Sequence, residues 1–336
     1  MSVTAAAVSA EQRTSGEAVE TIDNDELLSI RAAELYYDEN KTQDEVGAIL
    51  KLTRWKVGRL LASAKEKGFI RIEIVHPRAR KLTLERSLRE RFGIDDAIVV
   101  PAAGTNSADD LRARAAQAAA DYLASLRPVP RVLGVSWGRT LHDVAEHLSE
   151  GWATGVNVVQ INGGVSVNQR AGTAAATAFE IARKASGQAT LLPSPAILER
   201  LETKRSIEAD RTVGGVLAMA GDASAYLYSA GVAGHDSALV DSGYLTPNDV
   251  DELVRRGAVG DVVGRYIDAA GMIVDPSLDE RTVGLSLATL RSAATSIAVI
   301  AGAGKIAVAR AVVTSGLCTV LVTDEATALA LLDTGT

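Results

Sequence analysis

The sequence predicts an α/β protein in two parts: a small N-terminal helix-turn-helix domain and a large C-terminal domain built on a mostly parallel, Rossmann-like sheet. Three observations support this prediction. Apolar residues recur at helical spacing in three short segments between residues 28 and 64. From Ile94 onward, short apolar runs alternate with helical patterns, which is typical of a parallel sheet covered by helices. The pair His76-Pro77 interrupts the chain between the two parts.

We therefore expect residues 24–76 to form the helix-turn-helix domain and residues 94–336 the large domain, with a linker helix over 77–93 between them. Residues 1–23 lack the apolar segment of a signal peptide, so we expect a disordered tail and a cytoplasmic protein without a membrane segment. The one cysteine cannot form an internal disulfide. Because the four histidines lack metal-ligand spacing, we expect no metal site, and we expect no cofactor.

The charge of the chain is unevenly distributed. The net charge of −7 taken alone argues against nucleic-acid binding. From Lys41 to Lys81, however, eleven Lys and Arg stand against four Asp and Glu, a net charge of +7 that leaves −14 for the rest. A basic segment beside an acidic body is typical of a DNA-binding module joined to a sensor. A solvated basic face on a helical bundle is the alternative.

The second and third predicted helices begin at recognisable caps. Thr42-Gln43-Asp44-Glu45 is a capping box, in which the threonine and glutamate side chains each bond the other residue's backbone N–H. Thr53 is the cap of the third helix. Lys51 lies in the turn between them, where glycine is usual, so the φ angle of Lys51 is an open question.

The residue pattern of the third helix predicts a DNA-binding surface. Its apolar stripe consists of Val57, Leu60, Leu61 and Ala64. A period of about 100° per residue then places a basic face on the opposite side, as in a recognition helix that enters the major groove. We predict DNA contacts from Thr42, Gln43, Thr53, Arg54, Trp55, Lys56 and Arg59.

Two elements follow the third helix. Residues 69–75 alternate apolar and charged side chains, which predicts a strand that would be the wing of a winged helix. Leu84, Leu88 and Phe92 then predict a helix that ends at Gly93. Such a short amphipathic helix either serves in dimerisation or docks on the large domain, and the pattern does not separate the two roles.

The segment Gly134–Thr140 joins the apolar run Val132–Val135 to an amphipathic helix. A strand, a tight glycine loop and a helix bring backbone N–H groups and a helix N-terminus together, which favours an anion. We therefore predict a phosphate or polyol pocket formed by Ser136, Trp137, Gly138, Arg139 and Thr140. Capping of the helix by Thr140 is an equally good explanation of that residue.

Other predicted strands end in polar or glycine-rich turns. The apolar runs 98–100, 132–135, 156–161, 190–192, 226–230, 297–301 and 319–322 predict strands. In parallel sheets, ligands bind at the carboxyl ends of strands. The turns expected to face one crevice are 136–140, 162–164, 193–195, Gly231 and 302–305, and the further predicted ligand residues are Gln160, Asn162, Gly163, Gly164, Lys305 and Asp324. The alternatives are a surface position for Lys305 and helix capping for Asp324.

Several stretches spread over roughly residues 25 to 332 match one family when taken together: 35–37, 42–46, 57–61, 71–74, 134–140, 160–164, 257–261 and 322–326. With them the chain resembles the SorC family of bacterial transcriptional regulators, sugar-binding regulators related to the deoxyribonucleoside regulator. The resemblance implies a sensor domain similar to sugar-phosphate isomerases and glucosamine-phosphate deaminase. It also implies a sugar or phosphosugar effector and a dimer or tetramer as the working form.

The isomerase phosphate loop, G-x-G-x-G-S-T, falls on Gly134 to Thr140 with two departures. Ser136 replaces a glycine and Arg139 replaces the serine. The loop would be less open, but Arg139 could add a charge-assisted contact to an anion. Because residue 162 is asparagine and not lysine, we expect no imine with an aldehyde sugar from that turn.

The predicted function is a DNA-binding transcriptional regulator, such as a repressor, of carbohydrate metabolism. Its operator binding would be controlled by a sugar, polyol or sugar phosphate, and it would act as a homodimer or homotetramer. The alternative is a sugar-phosphate isomerase or deaminase with a DNA-binding appendage, but the sequence places no carboxylate base and histidine together at the strand ends. A protein-binding adaptor is a third class, and it would bind neither DNA nor sugar.

Overall fold

The computed structural model describes residues 24–70, 80–105, 107–164 and 174–333. The chain divides into two compact units between Ile74 and Val75, and each unit is described by itself. Among the described residues, no helix has the length and apolar composition needed to cross a membrane.

The N-terminal unit is a bundle of three helices. Helix α1 (Asn24–Ala33) continues as a π-helical turn (Glu34–Asp38) and is followed by α2 (Gln43–Leu50) and α3 (Arg54–Glu66). Both predicted caps are confirmed: Thr42 and Glu45 form the capping box, and the Thr53 hydroxyl accepts from Lys56 N–H. The predicted α3 stripe is buried together with side chains of the other helices, Ala32, Ala33, Leu35 and Val46.

The turn between α2 and α3 is tight. Lys51 adopts a left-handed conformation with φ +55°, which a lysine tolerates only at some cost in strain. Gly47 lies under this turn, because a Cβ there would come within 2.7 Å of the Leu52 carbonyl oxygen. The predicted wing strand falls mostly on residues 71–79, which lie outside the described residues.

The C-terminal unit contains a seven-stranded sheet in the order β1-β10-β9-β5-β2-β3-β4, with parallel pairing throughout. Its strands are β1 (Asp96–Val100), β2 (Val132–Val135), β3 (Asn157–Gln160), β4 (Gln188–Thr190), β5 (Ala225–Tyr228), β9 (Ser296–Val299) and β10 (Val320–Asp324). The predicted Rossmann-like, mostly parallel sheet is confirmed. The predicted strand 190–192 lies two residues earlier.

Helices cover both faces of this sheet. They are α4 (Leu82–Phe92), α5 (Ala108–Ser125), α6 (Arg139–His147), α7 (Ala174–Lys184), α8 (Leu201–Glu208), α9 (Arg211–Gly221), α14 (Ile306–Thr314) and α15 (Glu325–Leu332). Neighbouring residues of β1 enter different cores: Ala97 and Val99 pack with α4, whereas Ile98 and Val100 pack with α5. This alternation follows from the two-residue period of a strand and buries both faces.

A second, three-stranded antiparallel sheet was not predicted. It consists of β6 (Ala230–Val232), β7 (Gly260–Val262) and β8 (Arg265–Ile267). The predicted strand 226–230 is therefore wrong as one element, because Tyr228 ends a strand of the large sheet and Ala230 begins one of the small sheet. The remaining elements are α10 (Ala238–Asp241), α11 (Pro247–Arg255), α12 (Pro276–Arg281), α13 (Leu287–Ser292) and a 3-10 turn (Ala303–Lys305).

Helix α4 packs on the large sheet. Leu88 is completely buried, and the buried Glu85 carboxylate accepts from Val99 N–H at 2.9 Å on the edge strand β1. Arg80 donates to the same carboxylate from Nε and Nη2, at 2.7 and 2.8 Å. Of the two roles that the sequence leaves open for this helix, docking on the large domain is the one observed.

Candidate functional site

A cavity of about 400 Å³ opens at the carboxyl ends of β2, β3, β5 and β9. The segment Ser136–Thr140 follows β2, and Asn162, Ser229 and Ala301 stand just after the other three strands. Lys305 completes this side of the wall. The structure therefore brings together Ser136, Trp137, Gly138, Arg139, Thr140, Asn162 and Lys305 of the residues predicted to bind a ligand.

The segment Ser136–Thr140 leaves a helix start open at the cavity. Helix α6 begins at Arg139, and its N-cap is Gly138, with φ +134° and no side-chain cap. The first-turn N–H groups and the positive end of the helix dipole therefore lie beside the cavity, which favours an anion. Arg139 is exposed and forms no ion pair with any of the described residues. Ser136 and Thr140 are nearly buried in the wall.

Lys305 faces the cavity. Its Nζ lies 3.4 Å from Ser229 Oγ. Burial lowers the pKa of Lys305 to about 8; Asp261 opposes this effect, and the positive charges of Arg139 and Arg112 add to it. The ammonium group therefore lacks full compensation for its lost hydration, and an anion in the cavity would provide it.

Asp261 is a cavity residue that was not predicted from the sequence. It lies on β7, and its Oδ2 accepts from Gly264 N–H at 3.0 Å. Burial raises the pKa of Asp261 to about 6, although the bond from Gly264 and the charge of Lys305 both oppose the rise. A carboxylate and a lysine with displaced pKa values thus share one cavity, a combination common at functional sites.

The hairpin that carries Asp261 is strained. Val263 and Gly264 join β7 to β8 with φ +49° and +84°, and both line the cavity. Two positive φ angles are required by a two-residue type I′ turn, in which asparagine and glycine are usual. A β-branched valine with positive φ is uncommon and costs about 1–2 kcal/mol.

Asn162 presents an unused acceptor. The residue is 2% exposed, and its Oδ1 has no partner in the part of the chain that the structure describes. An unsatisfied buried amide oxygen is costly, so a hydroxyl or ammonium donor of a ligand would be stabilising there. Nearby, Trp137 Nε1 donates to the Gly163 carbonyl at 2.9 Å, which fixes the indole in the wall.

Four predicted ligand residues lie outside the cavity lining. Gln160 is buried and donates its amide to the Asn162 carbonyl at 2.7 Å. Gly163 and Gly164 use their N–H groups in backbone bonds to Val283 and Ser194. Asp324 is fully buried and caps α15, accepting from Thr327 N–H and Oγ1 and from Gly302 N–H. The predicted turn 193–195 does not line the cavity either; its Pro195 forms a bridge with Gly164.

Further polar residues line the cavity beyond those predicted, among them Asp109, Arg112, Asp236, Ser237 and Asp241. Arg112 is held by Asp109 and by Asp143, whose Oδ2 is 2.7 Å from Arg112 Nε. Its charge is therefore largely compensated within the protein. Arg112 and Asp109 belong to the first turns of α5, and no sequence pattern indicated a role in ligand binding for either residue.

The N-terminal unit carries a separate candidate interface on the outer face of α3. A shallow groove there is lined by Gln43, Arg54, Trp55, Gly58, Arg59 and Ala62. Trp55 is 81% exposed, a high value for an aromatic side chain of this size. Arg54 pairs with Asp44 at 3.4 Å and Lys56 with Asp25 at 3.2 Å, while the hydroxyls of Thr42 and Thr53 serve as helix caps.

A three-helix unit with a tight turn between α2 and α3, followed in the chain by an α/β unit with a polar cavity at its strand ends, is the architecture expected of a ligand-responsive DNA-binding regulator. Comparison with known proteins agrees with this class. Residues 76–333 match the family described as "Putative sugar-binding domain". The chain is 31% identical to the deoxyribonucleoside regulator of Bacillus subtilis (strain 168), over 91% of this chain and 97% of the relative.

Solved structures give the same result. A domain of a possible sugar-binding transcriptional regulator from Arthrobacter aurescens TC1 is 28% identical with a TM-score of 0.67, covering 77% of this chain and all of that domain. The full-length sorbitol operon regulator SorC from Klebsiella pneumoniae shares the fold with a TM-score of 0.70 at 24% identity, covering 93% of this chain and 100% of that one. The chain belongs to the SorC family of sugar-binding transcriptional regulators, which confirms the resemblance seen in the sequence.

Proposed function

We propose that this transcriptional regulator of carbohydrate metabolism binds operator DNA through α3 and is controlled by a small sugar or polyol phosphate bound in the strand-end cavity. The observation that carries the ligand proposal is the convergence of the uncapped start of α6, the exposed Arg139 and the under-compensated Lys305 on one cavity. Together they offer backbone N–H groups and two cations to a single anionic group.

The rest of the cavity suits a carbohydrate. Asn162 Oδ1, which has no partner among the described residues, would accept from a ligand hydroxyl, and Ser229, Ser237 and Asp261 add further donors and acceptors. Trp137, fixed by its bond to Gly163, offers a flat apolar face for the carbon skeleton. Two relatives are named for sorbitol and for deoxyribonucleosides, and both kinds of compound carry several hydroxyl groups or a sugar.

For operator binding, the groove on α3 supplies the protein surface. The segment 51–67 contains six Lys and Arg against one glutamate, whereas five of the acidic residues of this unit lie between residues 25 and 39. The positive charge is thus concentrated around the predicted recognition helix, as contact with phosphates requires. A homodimer or homotetramer would place two such helices on two half-sites, and effector and operator would then affect each other's affinity reciprocally.

The test of the ligand proposal is thermal unfolding of the full chain against matched pairs of free and phosphorylated sugars and polyols. A ligand at 100 times its Kd adds about 2.7 kcal/mol to the unfolding free energy. We expect phosphorylated members to stabilise the protein and Arg139→Ala to remove most of that effect. If only unphosphorylated members stabilise the chain, the anion site is refuted and the cavity binds hydroxyls alone.

Arg211→Ala is the matched control for Arg139→Ala. Both arginines are exposed first residues of a helix, but Arg211 follows a side-chain cap, Asp210, and does not line the cavity. Operator binding is tested by selecting duplexes from a random pool with the wild-type chain. Arg59→Ala should weaken the selected duplex about tenfold or more, whereas Arg31→Ala, on the acidic helix α1, should not.

Enzymatic turnover is a second candidate, and one observation favours it. Asp261, with a pKa near 6, and Lys305, with a pKa near 8, are suited to proton transfer at neutral pH. The relatives, however, are named as regulators. Incubation with pentose and hexose phosphates decides the question: interconversion that is lost in Asp261→Asn would establish an enzyme.

A further inference from the structure

Gly58 is a glycine that the fold of the N-terminal unit does not require. It lies inside the 13-residue helix α3, where glycine is less favourable than alanine. Apart from its chain neighbours and the α3 backbone, the nearest described atom to a Cβ at this position would be Gln43 Oε1 at 3.7 Å, an ordinary van der Waals distance. Gly47 differs, because a Cβ there would be 2.7 Å from the Leu52 carbonyl oxygen. Packing therefore explains Gly47 but not Gly58.

Because residue 58 has no side chain, its backbone forms the floor of the groove on α3. Trp55 and Ala62 stand one turn before and one turn after it on the same face, and Gln43 of α2 lies opposite. Arg54 and Arg59 also line the groove. The result is a concavity with apolar walls and a basic rim, and its largest apolar side chain, Trp55, is 81% exposed.

The shape and charge of this groove fit one particular group on DNA. Of the groups that base pairs present in the major groove, the C5-methyl of thymine is the apolar one. A methyl group fits between an indole ring and an alanine, and the arginines on the rim match the phosphates or guanines beside it. We propose that this groove receives the methyl group of a thymine in the operator and that Gly58 allows the base edge to approach the α3 backbone. This inference rests on the proposed operator binding.

The first test is Gly58→Ala in the full chain. Because alanine favours the helix, amide hydrogen exchange within α3 should slow about fivefold. Because the new methyl group would stand on the groove floor, where the thymine methyl is proposed to lie, affinity for the selected operator should fall about tenfold or more. Gly215→Ala is the matched control: Gly215 is an exposed glycine within α9 with open space around its Cβ position. It should stabilise α9 and leave operator affinity unchanged.

The second test replaces thymines of the selected operator by uracil, one symmetric pair at a time. We expect one thymine per half-site at which loss of the methyl group weakens wild-type binding about fourfold, corresponding to one buried methyl-sized group. In Gly58→Ala this preference for thymine should disappear. Equal wild-type affinity for every uracil operator, or an unchanged operator affinity of Gly58→Ala, overturns the inference while operator binding itself stands. Absence of any wild-type duplex binding overturns both.

Discussion

Replacing Lys305 by methionine should stabilise the protein without effector and abolish its response to an anionic effector. The two side chains have similar length, so the change removes mainly the charge. Burial lowers the pKa of Lys305 from 10.5 to about 8. A displacement of that size corresponds to roughly 3 kcal/mol against the charged form at pH 7, and access of water to the cavity reduces the expected gain to about 1–3 kcal/mol.

The stability gained by Lys305→Met depends on pH because of Asp261. The positive charge of Lys305 holds the pKa of Asp261 below the value that burial alone would give. Once that charge is gone, the carboxyl group takes up a proton at neutral pH, which limits the penalty of leaving it without its partner. Lys305→Met should therefore gain more stability at pH 6 than at pH 8.

The assay is urea unfolding of the full chain, with and without the sugar phosphate that stabilises the wild type, followed by tryptophan fluorescence. Lys204→Met is the control, since Lys204 pairs with Glu208 on α8 and lies outside the cavity lining. It should change the unfolding free energy by less than about 1 kcal/mol and preserve the effector response. A Lys305→Met protein that is less stable than wild type and still responds fully to the phosphate would refute this account of the cavity.

Three further predictions concern the same unit. The affinity for an anionic effector should fall about twofold between pH 7 and 8 and more steeply above pH 8, because Lys305, with a pKa near 8, is half deprotonated at pH 8 and must then take up a proton on binding; titration calorimetry that finds no change up to pH 9.5 contradicts this. Asn162→Leu should weaken carbohydrate binding about tenfold without destabilising the free protein, because it removes an acceptor that has no partner among the described residues; an unchanged Kd in equilibrium binding would exclude the proposed contact. Asp324→Ala should lower the unfolding free energy by about 2–4 kcal/mol, since three donors lose their acceptor. The control Asp210→Ala, at the exposed cap of α9, should lower it by about 1 kcal/mol. Equal effects of the two substitutions in urea unfolding would argue against a central role for Asp324.

Local features of the sequence predicted local structure well. The capping box at Thr42 and the buried stripe of α3 are confirmed because a cap and a helical period depend on residues within one or two turns. The order of apolar runs and helical patterns likewise predicted the parallel sheet. The small sheet was missed because Val263-Gly264 does not resemble the asparagine-glycine pair that normally indicates a two-residue hairpin.

The strand-end cavity was only partly predictable, because some of its residues are far apart in the sequence. Gly134–Thr140 could be recognised because its strand, loop and helix are consecutive in the chain. Asp261 enters the cavity from the small sheet, so its role depends on packing between segments far apart in sequence. Asp324 shows the opposite case: an acid after a strand and before a helix fits both ligand binding and capping, and only its complete burial and its three donors identify the cap.

Gly134, within β2, and Gly138, at the N-cap of α6, are required to be glycine for different physical reasons. A Cβ at Gly134 would come within 2.7 Å of both Ile161 Cγ2 and Tyr226 Cδ1, so the sheet itself requires glycine there. Gly138 has φ +134°, and apart from its chain neighbours no heavy atom of the described residues lies within 4 Å of its Cβ position. Its backbone conformation favours glycine, and the space before the helix start stays open to a ligand. Gly134 therefore maintains the fold, and Gly138 gives access to the helix terminus. The sequence pattern alone does not distinguish these two roles.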